Sequence, residues 1–154
     1  MRRGTVQFLQ VVLVLLGVGA LALLLWEPHL EGRNAHATLF AIYFNDPFLA
    51  YAYLASLPFF VGLYRAFQVL GQVGANHGFS PASVKGLRTI KHCALAIIAL
   101  VALGECLLLL SPSDDRAGGV FIGVLITLAS MVVATAMAIL ERTIQNAERR
   151  EVSA

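Results

Sequence analysis

The sequence predicts an all-α integral membrane protein, a four-helix bundle lying within one membrane domain that spans residues 1–154. Three observations predict it. The chain is 58% apolar and only 13% charged, where soluble domains hold roughly half and a quarter. Its mean hydropathy is +0.78. The apolar residues fall in four uninterrupted stretches, each long enough to cross a hydrocarbon core of roughly 30 Å as a helix, a form in which every backbone polar group is paired internally.

The predicted spans cover about residues 6–26, 48–70, 91–110 and 118–140. The first follows Met1-Arg2-Arg3 and so resembles a secretory signal. Its apolar run is about 20 residues, however, against the 7–15 of a signal peptide. It also closes on Trp26-Glu27-Pro28 rather than a small-x-small cleavage site, which predicts a retained span. Within it Gln7, Gln10, Val14 and Gly17 form a polar-to-small face expected to look inward.

Orientation follows from the basic residues, which are retained on the cytoplasmic side of short loops. With the N-terminus inside, Arg2, Arg3, Arg65, Lys85, Arg88, Lys91, Arg142, Arg149 and Arg150 are all cytoplasmic, and only Arg33 and Arg116 lie outside. The inner segments then carry a net +6 and the outer segments −3. Both termini are therefore expected in the cytoplasm and the protein in a prokaryotic inner membrane. Trp26, Tyr43, Phe44, Phe48, Tyr51 and Tyr53 cluster at the outer ends of the spans, and Tyr64 and Phe67 near the inner, as amphipathic rings favour the headgroup layers.

The first outer connection, from Glu27 to Pro47, contains an apolar stretch from Ala37 to Phe44 and is expected to lie on the interface or cap the bundle. The second, Ser111 to Arg116, reads as a tight polar turn. Pro58 is expected to kink the second span. The inner connection reads as a glycine-rich loop from Gly71 to Gly78, followed by a short helix with Ser80 as N-cap and Pro81 at its first position. Val84, Leu87 and Ile90 give that helix an apolar stripe, and Lys85, Arg88 and Lys91 a basic surface. Such a surface either anchors on anionic lipid or docks an acidic or nucleic-acid-linked partner.

Few residues suggest chemistry. Glu105 is the one acid inside a span, roughly 9 Å from the outer end at 1.5 Å per residue. An ionisable group at that depth is a candidate functional site. Its face also carries Ala94, Ile98 and Ala102, so it is expected to point at a neighbouring helix, either tying helices together or handling protons or cations. In the fourth span Gly119, Gly123, Thr127, Ser130, Ala134 and Ala138 share one face. Small residues let backbones approach closely, either within the bundle, which is favoured, or at a homodimer contact.

His29, His36, His77 and His92 provide no paired mid-membrane ligands for haem, and His29, Glu31 and His36 match no metal-site spacing. Cys93 and Cys106 are separated by roughly 20 Å along one helix and cannot bridge. No nucleophile–base pair, phosphate loop or carboxylate cluster is present. No catalytic residue, metal or cofactor is expected.

The stretch Leu57-Pro58-Phe59-Phe60-Val61-Gly62-Leu63-Tyr64-Arg65-Ala66-Phe67, then Gly78-Phe79-Ser80, then Ser83-Val84-Lys85-Gly86-Leu87-Arg88-Thr89-Ile90-Lys91 resembles the signature of a prokaryotic membrane family, domain of unknown function 2975. The likeness runs from the second span to the end of the fourth; the first span matches only in character. It implies four spans and brings no established activity. Members of that family are often encoded beside small Cro-like helix-turn-helix regulators, which implies a membrane partner that holds or modulates such a regulator, without direct contact to nucleic acid. The expected function is thus a non-enzymatic regulatory or accessory membrane protein, with Ser80, Lys85, Arg88, Lys91 and the tail from Glu141 to Ala154 as its cytoplasmic contact surface. The alternatives are a small proton-coupled transporter or transporter subunit, and a structural subunit of a membrane assembly. The first of these is weakened because small multidrug transporters carry their essential Glu in the first span, which here has none.

Overall fold

A computed structural model describes residues 3–30, 38, 40, 47–76, 79–110 and 116–153. It contains four long helices, α1 (Arg3–Leu30), α2 (Pro47–Asn76), α3 (Pro81–Leu110) and α4 (Arg116–Ser153). Each is long and apolar enough to cross a membrane, and among the described residues no strand occurs. Residues 31–37, 39, 41–46, 77, 78 and 111–115, including His36, Tyr43, Phe44, most of the apolar stretch from Ala37 to Phe44, His77 and Gly78, lie outside the described residues, as do the side chains of residues 27–30, 47, 48, 76 and 116.

Consecutive helices pack antiparallel. Val6, Gln10 and Gly17 of α1 meet Gly74, Gly71 and Leu63 of α2. Gly62 and Val69 of α2 meet Cys93 and Gly86 of α3, and Leu108 of α3 meets Gly119 of α4. Both chain ends therefore lie at one end of the molecule, called here the terminal end. The α3–α4 and α2–α3 seams are the most extensive, and α1 lies along α2 with a smaller contact.

Two expectations about the inner connection are corrected. The loop expected from Gly71 is helical, because α2 runs on to Asn76 and carries Gly71 and Gly74 in its last turns. A Cβ on Gly74 would stand 3.0 Å from Val6 Cγ1, and one on Gly71 would stand 3.4 Å from the Gln10 side chain. Their helix penalty, roughly 1 kcal/mol each relative to Ala, is offset by the close approach of α1 that they permit. The second correction concerns the short helix expected before the third span. It is continuous with that span, and α3 is a single helix of 30 residues. Its start is as the sequence predicts: the Ser80 hydroxyl accepts from the Ser83 backbone N–H at 3.3 Å, and Val84 N–H donates to the Ser80 carbonyl at 3.1 Å.

Two prolines lie inside helices. Helix α2 continues through Pro58. In α1, Pro28 has no N–H, so the Leu24 carbonyl four residues earlier lacks its helical donor. The Tyr53 hydroxyl of α2 donates to that carbonyl at 2.8 Å. A similar cross-helix bond runs from the Tyr51 hydroxyl to the Leu100 carbonyl of α3. These tyrosines thus link the helices near the end away from the termini.

Burial is unevenly distributed. Val69, Val73, Leu87 and Ile90 form a buried cluster, flanked by Ala66, Met137, Leu140 and Ile144, at the terminal end. Through the middle of the spans, large apolar side chains such as Leu15, Leu23, Leu54, Leu125 and Val132 face outward. Lipid tails are as apolar as leucine, so burying these side chains against protein yields no hydrophobic gain. At the terminal end the alternative is water or headgroups, and burial of each such side chain contributes roughly 1.5–3 kcal/mol.

Candidate functional site

Two acids occupy the α3–α4 seam. Glu141 lies one residue past the expected end of the fourth span, at the terminal end, and is 6% exposed. Arg88 Nε donates to its Oε1 at 2.8 Å, and Lys91 Nζ donates to its Oε2 at 2.6 Å. Arg88 Nη2 lies 2.8 Å from Oε1 as well. Three residues apart on α3, Arg88 and Lys91 share a face, and that face meets the small-residue stripe of α4. The hydrogen bond from Lys91, then that from Arg88, holds the Glu141 carboxyl below the usual carboxylate range, outweighing the opposing effect of burial.

Arg88 and Lys91 therefore form a clamp on Glu141, Lys91 largely enclosed and Arg88 half exposed with part of its guanidinium still facing outward. Lys85 enters no ion pair among the described residues and is exposed. Ser80 acts as the N-cap and approaches the Ser83 hydroxyl at 3.2 Å. Ser83 is fully buried and donates to Gln72 Oε1 of α2 at 3.1 Å. This chain of hydrogen bonds pins the start of α3 to the end of α2.

The second acid, Glu105, sits toward the opposite end of the same seam. Its Oε1 is shielded from solvent and has no hydrogen-bond partner among the described residues. It lies directly against Gly123, where a Cβ would overlap the carboxyl group. A Cβ on Gly119 would stand 2.5 Å from Leu108 Cδ2. Gly123, Ser130 and Ala134 are buried and Gly119 and Thr127 partly so. Both glycines thus contact α3 of the same chain.

Sequence reasoning placed Glu141 only at the start of the charged tail and missed its ion pairs, and it missed the contact between Ser83 and Gln72. A signal for Glu141 existed in its position, directly after an apolar run and level with a basic α3 start in an antiparallel pair. Its partners could not be assigned without the helix register. Among the described residues no group of three or more His, Cys, Asp or Glu side chains could hold a metal. His29 and Glu31 fall among the side chains left undescribed.

Four apolar helices, joined by polar contacts at the seams and with a charged cluster at one end, define a polytopic membrane protein. The family described as "Protein of unknown function (DUF2975)" matches residues 32–149, and the chain belongs to it. It is also similar to the uncharacterized membrane protein YoaS of Bacillus subtilis (strain 168), with 34% identity over 149 residues that cover 96% of this chain and 93% of the relative. No solved structure matches the chain significantly.

Proposed function

We propose that this protein is a non-enzymatic accessory or regulatory component of a prokaryotic inner membrane, with both termini in the cytoplasm and a docking surface for a soluble partner at the terminal end. The observation that carries the reading is the extension of α4. The helix runs unbroken from the expected membrane boundary at Leu140 to Ser153, about 20 Å beyond it at 1.5 Å per residue. From Asn146 onward its described residues are exposed. Ile144 packs on the terminal-end cluster, and the Glu141 clamp fixes the root of the extension to α3. A charged helix held rigidly outside the bilayer is a ready surface for a partner, and the basic bias supports its cytoplasmic placement. By family resemblance the partner is a helix-turn-helix regulator.

The test is affinity capture of the full-length protein from its native membrane, comparing wild type with Lys85→Ala combined with Arg149→Ala and Arg150→Ala. These side chains are exposed and outside the clamp, so their loss leaves the bundle intact. Specific loss of a soluble partner supports docking; a partner set identical to wild type overturns it.

A second reading, proton-coupled transport, is favoured by the Glu105 oxygen that is shielded and has no partner among the described residues. Proton flux in liposomes that disappears in Glu105→Gln would support transport over docking, and the absence of flux in wild type would sink it.

A further inference from the structure

A groove at the terminal end lies between the first turns of α3 and the extension of α4. Lys85, Arg88, Thr89 and His92 line it from α3, and Gln145 and Glu148 from α4. Its walls carry opposite charges: Lys85 and Arg88 on one, Glu148 on the other. Lys85 and Glu148 share the groove without meeting, because among the described residues neither takes part in an ion pair. Arg88 commits Nε and Nη2 to Glu141, which leaves Nη1 of its guanidinium as a further donor.

Depth identifies the surroundings. The apolar run of α3 begins at Lys91, so Lys85, Arg88 and Thr89 lie within about 9 Å of the hydrocarbon boundary. The polar layer of each leaflet is roughly 6 Å thick. Arg88 and Thr89 thus lie within the headgroup layer. Lys85 at about 9 Å and Glu148, eight residues past Leu140, at about 12 Å stand just above it, so the groove opens at the outer, water-facing side of the headgroups. Pro81 and Val84 add apolar surface to its lining.

Charge then selects the headgroup. A simple anion would meet repulsion from Glu148, and a simple cation would meet it from Lys85 and Arg88. A zwitterion with a phosphate at one end and a primary ammonium at the other satisfies both walls. A quaternary ammonium has no N–H to donate to a carboxylate, and a glycerol headgroup has no positive charge. We propose that this groove binds the headgroup of an aminophospholipid, with its phosphate on Lys85 and Arg88 and its primary ammonium on Glu148 and Gln145. The proposal does not rest on the docking reading, since it concerns the purified protein with no partner present. The two share Lys85, and Glu148→Gln tells them apart, because the docking test leaves Glu148 intact.

The experiment titrates full-length protein in mild detergent with phosphatidylethanolamine, phosphatidylcholine or phosphatidylglycerol of matched acyl chains, following thermal unfolding as the binding readout. Wild type is expected to favour phosphatidylethanolamine over both others by roughly tenfold, the factor given by one charge-assisted hydrogen bond. Glu148→Gln should bring phosphatidylethanolamine and phosphatidylglycerol to within about twofold, and Lys85→Ala should weaken all three. Circular dichroism of both variants checks that the helices persist. Equal or tighter binding of phosphatidylglycerol by wild type would overturn the proposal in favour of plain anion attraction. A preference for phosphatidylethanolamine that survives both substitutions would place the lipid elsewhere. Stabilisation of equal size by soluble phosphoethanolamine would make the ligand a free zwitterion rather than a lipid, and by inorganic phosphate a free anion; either would overturn the proposal.

Discussion

Glu141 and Glu105 lie on the same seam between α3 and α4, and their surroundings differ in almost every respect. Glu141 is gripped by two cations and shielded by the terminal-end cluster, where water or headgroups would otherwise compete for it. Glu105 rests on a glycine backbone with one oxygen buried and, among the described residues, unpartnered. The first acid holds the helices together; the second occupies space that close packing of α4 provides. Burial of an acid is therefore no measure of its structural contribution. What decides it is the presence of a donor at hydrogen-bond distance.

This contrast can be broken by substitution. Glu141→Ala should have the largest effect, about 3 kcal/mol of lost stability, at the low end for breaking a buried pair because Arg88 is half exposed. The loss would be read from thermal unfolding in detergent, and it should be less than additive with Arg88→Ala. A matching pH dependence is expected. The carboxyl of Glu141 is depressed in the folded protein, so its contribution is complete above the unfolded value of about 4.3 and fades as pH falls through the lower folded value. Wild type should thus lose an increment of stability on acidification that Glu141→Gln does not show.

Gly123→Val should cost about 2 kcal/mol, since the added side chain must displace the Glu105 carboxyl or push α4 from α3. Combining it with Glu105→Ala should recover much of that cost, and failure to recover would mean the glycine serves some other contact. Tyr53→Phe leaves the Leu24 carbonyl without its donor and should cost about 1 kcal/mol, near the middle of the range for hydrogen bonds between membrane helices. Glu105→Gln should have the smallest effect, below about 0.6 kcal/mol, because no hydrogen bond is lost. An effect as large as that of Glu141→Gln would show that Glu105 has a partner and erase the distinction between the two acids.

The four spans were legible because a bilayer demands about 20 apolar residues per crossing, and that demand is written directly in composition. The N-cap at Ser80 was legible too, since capping needs only local chemistry. Gly71 and Gly74 misled because glycine reads as a loop former in isolation, whereas here it lies in a helix that needs a neighbour pressed against it. The basic triad on α3 was visible as a surface, but its division into clamp and free charge was not. Arg88 and Lys91 are distinguished from Lys85 only by what stands opposite them on α4.

By itself, then, the sequence determined that this chain crosses the membrane four times and that Glu105 lies within a span, because hydrophobic length and charge placement act on each segment separately. Only the tertiary structure decided that Glu141 is clamped and that Glu105 has a shielded oxygen without a partner among the described residues. Both outcomes depend on the register of α4 against α3, a relation between residues 18 to 53 positions apart that no single segment encodes.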